Sequence, residues 1–187
     1  MVVLTAPMNE RYPIEASARS AHTCFQAGFA KLATLLLPEK AGVLYEPSSE
    51  GLRILAEHED ALEAAAKQLL EVFPDEIELG GPQPHLLFVD DEIREPVMTL
   101  TVTVPSEHLE TILADLTGRG ALVETTRRRQ SECEMRAQVR LAAVIGYRRY
   151  LESMTHGAGT VSMRLSHYEA IPGKARIAHD RRASPLA

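Results

Sequence analysis

Between Glu95 and Pro105 the chain reads EPVMTLTVTVP, and apolar residues alternate with polar ones at the period of a half-buried strand. The period then changes. Leu109, Ile112, Leu113 and Leu116 follow i, i+3, i+4, i+7 and predict a helix, with Ser106 placed to cap it and Gly118 and Gly120 to stop it. ALVETTRRR and CEMRAQVR read as two further strands joined by a polar turn around Gln130–Glu132. A second helix is expected from Leu141 to about Met154, with Leu141, Val144, Ile145, Tyr147 and Leu151 as its apolar positions. TVSMRLSHYEA alternates again and closes the unit. The order is β-α-β-β-α-β, the split ferredoxin-like arrangement.

The first half repeats that order more faintly. RYPIEASA reads as a strand, and Phe25, Phe29, Leu32 and Leu36 mark one face of a helix ending before Pro38. VLYEPSSEGLRIL carries two apolar runs around a Pro-Ser-Ser-Glu-Gly turn, a hairpin signal. Asp60 is placed to cap a helix whose apolar positions are Leu62, Ala66, Leu69, Leu70 and Phe73. EIEL supplies a closing strand, and GGPQP is turn chemistry. The expected class is therefore α+β: two tandem ferredoxin-like domains, antiparallel sheets with helices on one face, over residues 1–91 and 92–173. HLLFV in the connection is apolar and has to pack somewhere. The last stretch, 174–187, is basic without periodicity and reads as a disordered tail.

Composition changes this picture in one respect. The net charge of −6 over 187 residues is divided unevenly. Up to Asp91 there are 6 Lys+Arg against 15 Asp+Glu, a difference of −9; from Glu92 there are 14 against 11, a difference of +3. An anionic partner would meet the second half. Cys24 and Cys133 fit no metal spacing and read as two buried thiols. MVVLTAPMNERYP offers no basic leader or long apolar run, so a signal peptide and a membrane span are not expected, and a cytoplasmic location is.

Chemistry-bearing motifs are few. The Gly-Lys at Gly173-Lys174 lacks the rest of a phosphate-binding loop, so no nucleotide is expected. The seven histidines show no metal-ligand spacing, and no Gly-x-Ser-x-Gly elbow is present, so no metal, cofactor or catalytic role is expected. Met154–Gly159 joins a helix C-terminus to a strand. Carbonyls gather at that end, the wrong pole for phosphate, so its glycines read as a tight reversal or as backbone contact to a partner. Glu57, Glu59, Asp60 and Glu63 read as a solvated helix start. Arg127, Arg128 and Arg129 form the densest basic run, with Arg136 and Arg140 on the next strand and Arg148 and Arg149 on the last helix. Strand alternation puts Arg127 and Arg129 on one face and Arg128 on the other. Such a face is either a solvated basic surface or a contact for RNA phosphates.

Two stretches, REPVMTLTVTVPSEHLETILADLTGRGA and VRLAAVIGYRRYLESMTHGAGTVSMRLSHYEAIP, resemble the C-terminal domain, domain V, of elongation factor G. That pattern opens its first strand on Glu-Pro and enters its helix through Pro-x-x-x-Leu. It carries Ser-Met-Thr-x-Gly-x-Gly-Thr before a strand ending His-Tyr-Glu. Ser153, Met154, Thr155, Gly157, Gly159, Thr160, His167, Tyr168 and Glu169 stand in those places. The first half resembles domain III of the same family through SEGLRILAEHEDALEAAAKQLLEVFPDEIELGGPQ. It reads AEHEDALE where that family has Gly-Met-Gly-Glu-Leu-His-Leu-Glu. An alternative assigns FQAGFAKLATLLLPEKAGVLYEP to the end of domain IV. The resemblance implies a translation-factor-like protein without a nucleotide-binding domain or an extended domain IV, hence no translocase. It implies binding to ribosomal RNA or protein near the translational GTPase site, through Arg127, Arg128, Arg129, Arg136, Arg148 and Arg149. The rival expectation is a protein-interaction or homodimerisation module that buries the Arg-bearing face.

Overall fold

The computed structural model describes residues 9–22, 24–90 and 92–175. The chain runs β1 (Ile14–Ser20), α1 (Gln26–Leu36), β2 (Val43–Ser48), β3 (Gly51–Ala56), α2 (Glu59–Val72), β4 (Ile77–Leu79), β5 (Gln83–Pro84), β6 (Leu87–Val89) and β7 (Glu92–Pro105). It continues with α3 (Leu109–Gly118), β8 (Leu122–Arg129), β9 (Glu132–Arg140), α4 (Tyr147–Met154) and β10 (Thr160–Ala175). The first sheet has the order β2-β3-β1-β4 and the second β10-β7-β9-β8, every pairing antiparallel. Both are ferredoxin-like: each β-α-β crossover places its helix on the same sheet face and leaves the other face open. The second half follows the expected element order closely. Leu109, Ile112 and Leu116 are buried on α3, against the buried Leu100, Val102 and Val104 side of β7.

The connection is more structured than turn chemistry suggests. β5 pairs with the start of β1, and β6 pairs with the start of β7, so the Leu87–Val89 part of HLLFV joins the second sheet, with Leu87 buried and Leu86 and Phe88 exposed. His85 between them is buried, its Nδ1 2.8 Å from the Tyr12 carbonyl and its N–H donating to the Pro13 carbonyl. The second sheet thus begins ahead of Glu92. Residues 176–187 of the basic tail lie outside the described residues.

Local departures have local causes. The helix expected from Leu141 begins only at Tyr147. A 3-10 turn covers Leu141–Ala143, and Gly146 adopts φ +77, a left-handed conformation that ends the turn and caps α4. His58, not Asp60, caps α2, its Nδ1 accepting the Ala61 N–H at 3.1 Å. Ser106 opens a 3-10 turn without a side-chain cap. On α2 the buried positions are Ala61, Leu62, Ala65, Leu69 and Phe73, while Leu70 turns outward. On α1 they are Phe29, Ala30 and Ala33, and the expected Phe25, Leu32 and Leu36 are exposed. Phe29 meets Phe73 edge-on at 5.5 Å, which joins the two helices over the first sheet. Cys133 is buried as expected, but Cys24 is exposed.

The glycine loop after α4 is held from within. The Thr155 hydroxyl is buried; it donates to the Leu151 carbonyl at 2.7 Å and accepts the Gly159 N–H at 2.7 Å. Gly157, at φ +82, donates to the Glu152 carbonyl, the long bond of a Schellman ending. A Cβ on Gly159 would lie 2.8 Å from the Thr155 hydroxyl and 3.1 Å from Leu151 Cγ. Thr155→Val keeps the shape and strands the Gly159 N–H. It is expected to lose about 1–3 kcal/mol in urea unfolding, with Thr155→Ser losing less. A Thr155→Val protein as stable as its parent would contradict this account of the loop.

Candidate functional site

β8 is the edge strand of the second sheet, and every residue after Val123 is exposed. Arg127 stands opposite Glu134, Arg128 opposite the buried Cys133, and Arg129 opposite Glu132. Cys133 belongs to the helix-covered core, so Arg128 lies at the rim of that face and Arg127 and Arg129 lie on the open face. The register extends the open face across the sheet. Arg136 is level with Thr101, Ser162 is opposite Thr101, and Arg164 is opposite Thr99. The result is a floor of hydroxyls with arginines at both margins, interrupted by Glu132 and Glu134. Among the described residues, Arg127, Arg128, Arg129 and Arg164 make no ion pair or side-chain hydrogen bond to one another or to any neighbour. Arg164 joins this set only through strand register.

The other arginines are occupied. Arg136 Nε reaches Glu124 at 3.2 Å. Arg140 binds the buried Glu95 and, at 3.0 Å, Glu169, which ties β9 to both β7 and β10. Arg119 bonds Asp115 at 2.8 Å and the Ala143 carbonyl at 2.9 Å, and lies over the Tyr147 and Tyr150 rings, which fastens α3 to the start of α4.

Arg148 and Arg149 turn toward the first domain, and here the solvated-face expectation for the acidic cluster holds for the exposed Asp60 and Glu63 but misses the half-buried Glu59 and the pairing of all three with α4. Arg148 pairs with Asp60 at 2.9 Å, and Arg149 pairs with Glu63. Between them both Glu59 carboxylate oxygens accept the Gly146 N–H, at 3.0 and 3.1 Å. Glu59 is the first residue of α2 and Gly146 the cap of α4, so the carboxylate bridges two helix N-termini, where negative charge is favoured. Glu57 instead pairs with Arg11. A cavity of about 200 Å³ lies beside this seam, lined in part by Ile14, Met98, Leu141 and Met163 from both domains. Sequence reading missed the seam, since its members are separated by 86 or more residues and only the tertiary fold brings them together.

Of the motif loop, Thr155, Gly157 and Gly159 serve the internal bonding described above, while Ser153, Met154 and Thr160 are exposed. No group of His, Cys, Asp or Glu among the described residues is arranged to hold a metal ion. Nor is any helix among them long and apolar enough to cross a membrane.

Residues 92–177 match the family model described as the elongation factor G C-terminus, and form a domain of that type. A solved structure, the ttk003000868 protein from Thermus thermophilus, superposes with a TM-score of 0.56 at 15% identity, over 90% of this chain and 42% of that one. At that identity the likeness shows the fold alone, and the chain spans about two fifths of the length of that protein.

Burial pushes the Glu59 carboxyl above its ordinary value of 4.5; the Gly146 N–H and Arg148 oppose the shift, and Glu63 and Asp60 add to it. A raised carboxyl pKa makes the charged form a cost to folding. That cost is full at neutral pH and fades as pH falls through the folded value toward 4.5. Glu59→Gln removes the charge and keeps an acceptor for Gly146. The parent is therefore expected to gain in melting temperature relative to Glu59→Gln on acidification, and a relative loss would contradict the assignment.

Proposed function

We propose that this chain, whose residues 92–177 form an elongation factor G C-terminal-type domain, is a non-enzymatic ribosome-binding protein acting near the translational GTPase site. The observation that carries this reading is the division of the arginines. Arg119, Arg136, Arg140, Arg148 and Arg149 each hold a carboxylate of the same chain, whereas Arg127, Arg128 and Arg129 meet none among the described residues. Arg127 and Arg129 on the open face of an exposed edge strand, with Arg128 at its rim, suit phosphate oxygens, to which arginine binds in a fork. The hydroxyl floor of Thr99, Thr101, Thr103 and Ser162 supplies further donors beside them.

The mode of contact follows from what the face lacks. Its register positions from Thr99 to Thr103 carry no aromatic side chain, so bases have nothing to stack upon. Recognition runs through backbone phosphate and shape, or through an acidic ribosomal protein, and is independent of RNA sequence. The first domain is acidic and sets Glu59, Asp60 and Glu63 against α4 of the second; its part is to brace it. The first half is the counterpart of domain III, a reading supported by its strand order and by its position before the C-terminal domain. The protein acts in the cytoplasm without bound nucleotide, metal or other cofactor.

Co-sedimentation with purified ribosomes across a salt series tests this. Binding is expected to fall steeply with salt, with a logarithmic slope of roughly one for each arginine that touches phosphate, and to be displaced by elongation factor G. Absence of binding at low salt, or binding that elongation factor G leaves untouched, would overturn the reading.

A further inference from the structure

α1, QAGFAKLATLL, carries a single charged residue, Lys31, in eleven positions. Its inner side is accounted for: Phe29, Ala30 and Ala33 lie buried over the first sheet. Its outer side is also apolar, with Leu35 83% exposed, Leu36 53%, Leu32 50% and, just before the helix, Phe25 69%. The outer sides of the other helices are different. α2 shows Glu63, Lys67 and Glu71 to solvent, and α4 shows Arg148, Arg149 and Glu152. A helix that is apolar all round is a buried helix, and α1 is buried on one side alone.

We infer that this outer face of α1 is the contact between two copies of the chain, a two-fold interface separate from the arginine-bearing sheet. The area supports a second copy. Allowing about 200 Å² for each large apolar side chain, these exposures leave on the order of 500 Å² bare, at the upper end of what a monomer shows. With the flanking Gly28 and the stem of Lys31, a two-fold contact reaches roughly 600 Å² per partner, the lower end of a stable interface.

Charge narrows the partner. A charged surface would find no counter-charge among Phe25, Leu32, Leu35 and Leu36, so the facing surface has to be apolar and nearly uncharged. A two-fold contact supplies such a surface by construction, since the stripe meets itself. Lys31 borders the stripe one turn before Leu35, where its stem lies along the contact and its ammonium stays at the wet margin. In an antiparallel crossing centred on the stripe, Leu32 meets Leu32 of the second copy and Leu36 passes over Gly28. The other large exposed apolar residues include Leu122 on β8 and Phe88 on β6, which belong to the second sheet and not to this helix.

Sedimentation equilibrium of the chain from low to high micromolar concentration gives the first test, with a dimer mass expected. Leu35→Glu, at a position too exposed to disturb the core, is expected to weaken the dimer by roughly tenfold or more, with the far-ultraviolet spectrum unchanged. Leu32→Cys in a Cys24→Ser background is expected to form an intermolecular disulfide on mild oxidation, and Leu122→Cys in the same background is not. A monomer at every concentration overturns the inference. So does a dimer that Leu35→Glu leaves intact, or equal crosslinking at positions 32 and 122.

Discussion

The carboxylate of Glu59 on the backbone N–H of Gly146 is the contact on which the rest of the arrangement turns. It brings the start of α2 to the start of α4 and so sets one ferredoxin-like unit against the other. The exposed pairs on either side, Asp60 with Arg148 and Glu63 with Arg149, are of the kind worth about 0–1 kcal/mol each. Their effect is on alignment more than on energy. The energy comes from apolar burial, since Ile14, Met98 and Leu141 of the two halves join one continuous core. Charge asymmetry between the halves thereby becomes architecture: acids of the first domain meet bases of the second, and part of the second domain's positive charge is neutralised inside the molecule.

That seam occupies Arg148 and Arg149, and pairs within the second domain occupy Arg136 and Arg140. Seven arginines from Arg127 to Arg149 look equivalent along the chain, yet four of them are tied to carboxylates by the fold. Arg127, Arg128 and Arg129 escape because β8 is an edge strand. Its register partners Glu132 and Glu134 belong to the same hairpin and do not close onto them. Position in the sheet, and not residue type, makes these three available.

The fold was legible in the sequence wherever local rules act alone. Period-two alternation in Glu95–Pro105 and the i, i+3, i+7 spacing of α3 led directly to β7 and α3, and the glycine loop to a reversal. Legibility failed where two local patterns competed or where tertiary contact decided. In α1 the apolar residues cover nearly the whole circumference, so periodicity had no polar side to orient it: of the selected Phe25, Phe29, Leu32 and Leu36, Phe29 alone is buried, beside Ala30 and Ala33. At Leu141–Gly146 the apolar spacing of a helix was present, but a left-handed glycine interrupted it. The acidic start of α2 resembled a solvated helix end because its partners at Gly146, Arg148 and Arg149 lie a domain away.

The central claim is that one group of arginines faces outward to a partner while another is held within the molecule. Ribosome affinity measured side by side for two variants tests it most directly: Arg127→Gln/Arg128→Gln/Arg129→Gln and Arg148→Gln/Arg149→Gln. The account predicts that the first loses most of its salt-sensitive affinity while the second keeps it. Equal losses, or a greater loss in the second, would contradict it.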